Sequence, residues 1–233
     1  MSKKDQAALM EFIKTEFDKM REDFNQMLNL KEQEIRELHG EVETLKKRVK
    51  ILENQVDDSD AYERRDTLIL SGPSLPPVER GENCVSVVKK LLQDQIRIDV
   101  NESEFSVAHR LGARPQNQTS DKRSLIVKFC RRECKRDVII ACKKAKNSNL
   151  FANESLTPKR RAILEALKKM KRSLPEHVKG CTTIDGKVFV YTKSLQTNGR
   201  DHRHLVNSHD DLVKFCTDHV KQPLELFLAG WPN

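Results

Sequence analysis

The sequence predicts an α+β protein: a long N-terminal coiled-coil helix, then a β-α-β-β-α-β domain, then a small α+β C-terminal domain. Three observations carry this. Residues 35–56 repeat apolar side chains at alternating spacings of three and four. Residues 67–153 alternate short strand signals with amphipathic helices. Thr157-Pro158 then opens a fresh run of helix, hairpin and helix. The boundaries read as 1–60 for the coiled coil, 61–153 and 154–222 for the two domains, and 223–233 for a tail.

The repeat is Ile35, Leu38, Val42, Leu45, Val49, Leu52 and Val56. A helix with this heptad cannot bury its seam alone, so self-association is expected. β-branched residues at a with Leu at d lean toward a dimer. Glu41 with Lys46, and Arg48 with Glu53, supply matching g/e charges. Upstream, Met10, Ile13, Phe17, Met20, Phe24 and Met27 keep the same spacing in another frame. The four-residue offset is a stutter, which unwinds a left-handed supercoil locally. Asp57, Asp58, Ser59 and Asp60 break the heptad pattern and read as a hinge, with helical character resuming through Tyr62 to Arg65.

After the hinge, TLIL (67–70) is a buried-type strand closed by Ser71-Gly72-Pro73. A helix is expected over 82–96 and strands over 104–111 and 124–129, with a polar loop over 114–123 between them. A basic helix over 131–146 and a fourth strand over 149–153 follow. This order is that of a ferredoxin-like split βαβ unit, at the size of an RNA-recognition (RRM-type) module. In the second domain Thr157 is the expected N-cap and Pro158 the first helical residue, with the helix ending near Ser173. Asp185-Gly186 marks a hairpin over 181–191. Residues 192–207 read as a polar loop, 209–220 as a short helix, and the end as an unfolded or docked tail.

Charge is the strongest chemical signal. The net charge is +8, yet residues 1–60 hold 11 Lys/Arg against 15 Asp/Glu, while residues 110–172 hold 19 against 5. A basic excess so confined points to nucleic acid. Arg131, Arg132, Lys135 and Arg136 begin one helix. Lys159, Arg160 and Arg161 begin another, where backbone N–H groups add to phosphate attraction. Acidic partners are absent from the local sequence, so these cations are expected to face phosphates in a cleft between the two small domains. The strand of an RRM that carries stacking aromatics reads here Lys122-Arg123-Ser124-Leu125-Ile126-Val127-Lys128-Phe129. It retains the basic start and Phe129 only, so binding led by backbone charge is expected.

Other chemistry is not indicated. Cys130, Cys134 and Cys142, and His202, His204 and His209, lack metal-ligand spacing, so no metal and no cofactor is expected. No phosphate-cradling glycine loop, nucleophile elbow or HExxH motif occurs, and an enzyme is not expected. No apolar run is long enough to cross a membrane, and the start MSKKDQAALMEFIK lacks the apolar core of a signal peptide. No membrane partner is expected.

The motifs also have a familiar order. A coiled coil leads into Arg64-Arg65 before a strand ending at Gly72. His109-Arg110 lies on the next strand. SLIVKF (124–129) precedes a Lys/Arg-rich helix, NESLTPKRR (153–161) opens the second domain, and Asp185-Gly186 and Leu212-Val213-Lys214-Phe215 close it. In this the chain resembles, over essentially its whole length, the first-open-reading-frame protein of LINE-type non-LTR retrotransposons, the transposase 22 family. The resemblance implies a self-associating single-stranded RNA-binding protein. It would coat the element's transcript in cytoplasmic ribonucleoprotein particles, with access to the nucleus, and act as a nucleic-acid chaperone supporting retrotransposition. Single-stranded DNA is a further expected partner. Mammalian relatives are trimers, against the dimer preference of the seam. By motif match Arg64, Arg65, Arg110, Lys122, Arg123, Arg131, Arg132, Lys159, Arg160 and Arg161 become RNA contacts. The alternatives are a coiled-coil scaffold for acidic protein partners and a DNA-binding regulator.

Overall fold

One uninterrupted helix, α1 (Lys3–Arg64), begins the chain in the computed structural model, which describes residues 3–112, 122–145, 148–193, 201–221 and 224–227. Two compact units are present, residues 1–55 and 56–233. The class is mixed α+β, with antiparallel sheets after the long helix. On α1 the seam residues Ile35 to Val56 named above are 44–68% exposed in the single chain.

The expected hinge at 57–60 is not found. Helix continues through it because its acidic side chains find cations on one side of the helix. Asp60 pairs with Arg64 one turn on, at 2.6 Å, and Asp57 and Asp58 both meet Arg160 from far along the chain. Charge repulsion within the run, which a local reading sees, is thereby relieved.

The first sheet holds β1 (Thr67–Ser71), β2 (Phe105–Arg110), β3 (Leu125–Phe129) and β4 (Phe151–Glu154), in the order β2-β3-β1-β4 with every pairing antiparallel. Helices α2 (Cys84–Ile96) and α3 (Arg132–Lys144) connect β1 to β2 and β3 to β4. Asn83 caps α2 by accepting from the Val85 and Ser86 amides, so the helix starts later than 82 and leaves Glu82 for another use. Alternation decides the faces. Leu68, Leu70, Leu125 and Val127 are buried with Val88, Leu92 and Val138. The strand register sets Ile69 against Ile126, and Lys128 against Thr67 and Val107, on the other face. Phe129, the one aromatic that matched the RRM strand pattern, belongs to the core. It is 2% exposed, with its ring 5.5 Å from Phe105.

The second core is built on α4 (Pro158–Ser173), β5 (Gly180–Ile184), β6 (Lys187–Thr192), β7 (His202–Leu205) and α5 (His209–Phe215). Thr157 caps α4 through the Arg160 amide, with Pro158 in the first turn as expected. Ile163, Ala166, Leu167 and Met170 form its buried stripe. Asp185 and Gly186, both at positive φ, make the two-residue turn between β5 and β6. Part of the expected 192–207 loop is strand: β7 pairs with β6, and Thr192 Oγ1 lies 3.1 Å from His204 Nε2. The expected 209–220 helix changes after Phe215 into a wider π-type turn over Cys216–Val220. Of the tail, Leu224 and Phe227 dock in this core. The predicted loop residues 114–121 lie outside the described residues. Among the described residues, no helix is long and apolar enough to cross a membrane.

Candidate nucleic-acid interface

Buried charge pairs come first, because they remove cations from the candidate list. Glu154, at the end of β4, accepts from the Asp185 and Gly186 amides at 2.9 and 3.2 Å. Lys135 Nζ donates to the same carboxylate at 2.6 Å, to Asp185 at 3.1 Å, and to the Arg65 carbonyl. Arg160 donates to Asp57 at 2.9 Å, to Asp58, and to the Gly186 carbonyl at 3.0 Å. Lys135 and Arg160 are 1% and 3% exposed. Both were expected to face RNA; both instead join the end of α1, α3, α4 and the hairpin turn. The carboxylates missing from their local sequence arrive through the tertiary fold. Gly186 is required at this junction: its φ is +77° and a Cβ there would sit 3.2 Å from the Ala61 carbonyl oxygen.

Arg110 is likewise buried. Its guanidinium forks onto Glu82 at 2.8 and 3.0 Å and donates to the Arg123 carbonyl at 3.0 Å. The hydrogen bond from Arg110 holds the Glu82 carboxyl below the usual carboxylate range.

Above these pairs opens a groove of about 670 Å³. It is lined by the last turns of α1 (Ala61, Tyr62, then Arg65), by Arg132 at the start of α3, and by the outer face of the second sheet. That face follows from alternation: Val188 and Val190 point into the core, so Lys187 and Phe189 point out, beside Arg203 and Leu205 of β7. Arg65, Arg132, Arg160, Lys187 and Arg203 make the lining cationic, against Asp58 and Asp185. Asp58 shares Arg160 with Asp57, and Asp185 shares Lys135 with Glu154, so each of these buried cations faces two carboxylates; Arg65 and Arg132 in turn lie 3.4 and 3.3 Å from Asp66.

The groove thus gathers three of the expected contacts, Arg65, Arg132 and Arg160, the last as a structural member. The others are dispersed. Arg64 pairs with Asp60, and Arg131 forks onto Glu104. Lys122 reaches the Pro73 carbonyl at 3.5 Å and Arg123 the Gly112 carbonyl at 2.6 Å. Arg136 opens on a separate groove of about 300 Å³ with Lys143 and Ile140. Lys159 is half-buried and Arg161 exposed at the start of α4; neither lines the larger groove. No protein-family model and no curated protein matches this chain.

Sequence reasoning missed Tyr62, Lys187, Phe189 and Arg203. The period-two pattern of Lys187 and Phe189 against Val188 and Val190 was a usable signal. Arg203 was hidden because β7 has no strand-like composition.

One titration bears on this wall. The His204 ring, on β7, lies 4.3 Å from the His219 ring and 5.6 Å from Phe215. Burial, then His219 and His202, push its pKa below 6.5. The unfolded chain therefore binds this proton more readily than the folded one. Stability is intact above the unfolded value near 6.5 and declines as pH falls from there through the lower folded value. Urea unfolding should show a lower midpoint at pH 5 than at pH 7.5, with the difference reduced in His204→Phe.

Proposed function

We propose that this protein is a self-associating, single-stranded RNA-binding protein that acts as a nucleic-acid chaperone in the ribonucleoprotein of a LINE-type retrotransposon. The observation that carries the binding reading is the groove itself, whose lining holds five cations against two carboxylates and includes Arg132, Lys187 and Arg203. Phosphate attraction of this kind needs no base readout and fits a protein that coats a transcript. The antiparallel order β4-β1-β3-β2 supports reading the first lobe as a ferredoxin-like, RRM-type module. Its face away from the core bears Ile69, Ile126 and Lys128, which supports moving the RNA site from that sheet to the groove. The exposed heptad seam supports a coiled-coil oligomer, and the family resemblance supports the retrotransposon setting.

Fluorescence anisotropy with labelled single-stranded RNA, single-stranded DNA and duplex DNA tests this. Single strands should bind more tightly than duplex, with affinity falling steeply as salt rises. Arg132→Ala with Lys187→Ala should make the log–log salt slope shallower by about 1.4, for two lost phosphate contacts on a single strand. A duplex preference, or no binding at ~100 mM salt, would overturn the reading in favour of a DNA regulator or a protein scaffold.

A further inference from the structure

We propose that the groove carries two stacking platforms for unpaired nucleobases, one on each wall: Tyr62 with Arg65, and Phe189 with Arg203. This rests on the RNA reading above and adds base contact to what was argued there from charge alone.

Each platform is already built. The Arg65 guanidinium carbon lies 3.5 Å from the Tyr62 ring centroid, and that of Arg203 lies 4.6 Å from the Phe189 centroid. Such pairs are common, about one per 70–80 residues, so their existence alone decides nothing. Their placement does: all four residues line the same groove. The two walls have different origins. Tyr62 is in the last turn of α1 and Arg65 is the residue just after it, held three residues on by its amide donating to the Tyr62 carbonyl at 3.3 Å. Phe189 pairs with Leu205 across the strands, so Arg203 is its diagonal neighbour on the same face.

A guanidinium covers one face of each ring and is itself planar. A base can therefore extend the stack, on the far ring face or on the guanidinium plane, as single-stranded RNA recognition commonly does. Tyr62 is 62% exposed, which leaves its ring accessible. The rest of the lining suits a nucleotide. Lys187 and Arg132 supply positive charge for phosphates, and Asp58 and Asp185 are each hydrogen-bonded to a buried cation. The volume, about 670 Å³, is within the range of sites that enclose small organic ligands. The platforms also answer a deficit: on the first sheet, β1 and β3 turn Ile69, Ile126 and Lys128 away from the core, where an RRM-type module would use aromatics.

The test compares two probes on the full chain: a labelled 12-mer of uridylate and a base-free phosphodiester of the same length. The native protein should bind the uridylate at least about fivefold more tightly per platform. Tyr62→Ala and Phe189→Leu should each reduce that preference while leaving affinity for the base-free strand nearly unchanged. Tyr62→Phe should retain it. Arg203→Lys keeps the charge and loses the plane, so it should lower the preference as well. Equal binding of the two probes by the native chain overturns this inference and leaves the RNA reading standing. So does an equal loss on both probes in Tyr62→Ala and Phe189→Leu. Failure of the native chain to bind either probe overturns both.

Discussion

Lys135→Ala is expected to destabilise the second unit by roughly 3–5 kcal/mol, the cost of removing one partner from a buried ion pair. Lys135 is the meeting point of Glu154, Asp185 and the Arg65 carbonyl, with its side chain 2% exposed and that of Glu154 5%. Without the ammonium, Glu154 retains only its backbone donors at Asp185 and Gly186. Urea unfolding followed by circular dichroism measures the loss. Lys135→Met combined with Glu154→Gln should recover most of it, since the buried carboxylate is then removed and the remaining one, Asp185, is 40% exposed to water. If Lys135→Ala unfolds at the native midpoint and instead weakens RNA binding, the side chain acts as an RNA contact and the structural role is wrong. The same logic applies to Arg160, so alanine at either position tests folding before it tests binding.

Leu45→Asp with Val49→Asp is expected to convert the native assembly to monomer. In a single chain these side chains are 59% and 52% exposed, and their neighbours along the seam are similarly open. Burying a Leu or Val contributes roughly 1.5–3 kcal/mol, and the seven seam residues are left exposed among the described residues. Two carboxylates at adjacent d and a positions would be desolvated and brought together in any coiled coil. Light scattering should report a multiple of the 26.9 kDa chain for the native protein and one chain for the variant. RNA affinity should fall by about a hundredfold or more with the loss of multivalency, although the groove is untouched. An unchanged mass would show that the seam is not the oligomer contact.

Much of the fold was legible because it is written in short-range pattern. Heptad spacing foretold α1, short apolar runs foretold β1 and β3, and Thr157-Pro158 and Asp185-Gly186 the start of α4 and the hairpin turn. The errors share one cause. Asp57, Asp58, Ser59 and Asp60 read as a hinge because they break the apolar repeat, yet Arg160, about a hundred residues on, receives two of the carboxylates. β7 was missed because His202-Arg203-His204-Leu205 owes its strand to pairing with β6, not to its own propensity.

The candidate site divides the same way. Sequence alone located the basic interval, the apolar seam and the lack of stacking aromatics at Ser124 and Ile126. These are properties of composition and period, which need no partner to exist. Only the tertiary structure decided which cations are exposed. Arg110, Lys135, Arg160 and Arg132 look alike in sequence and each meets a carboxylate from a distant element, but the first three are withdrawn from solvent while Arg132, 3.3 Å from Asp66, keeps its side chain 44% exposed. Only the fold, too, brought Tyr62 from the end of α1 to the groove that Phe189 lines from β6. Whether a side chain is buried depends on what packs over it, and that is set by contacts between segments far apart in the chain.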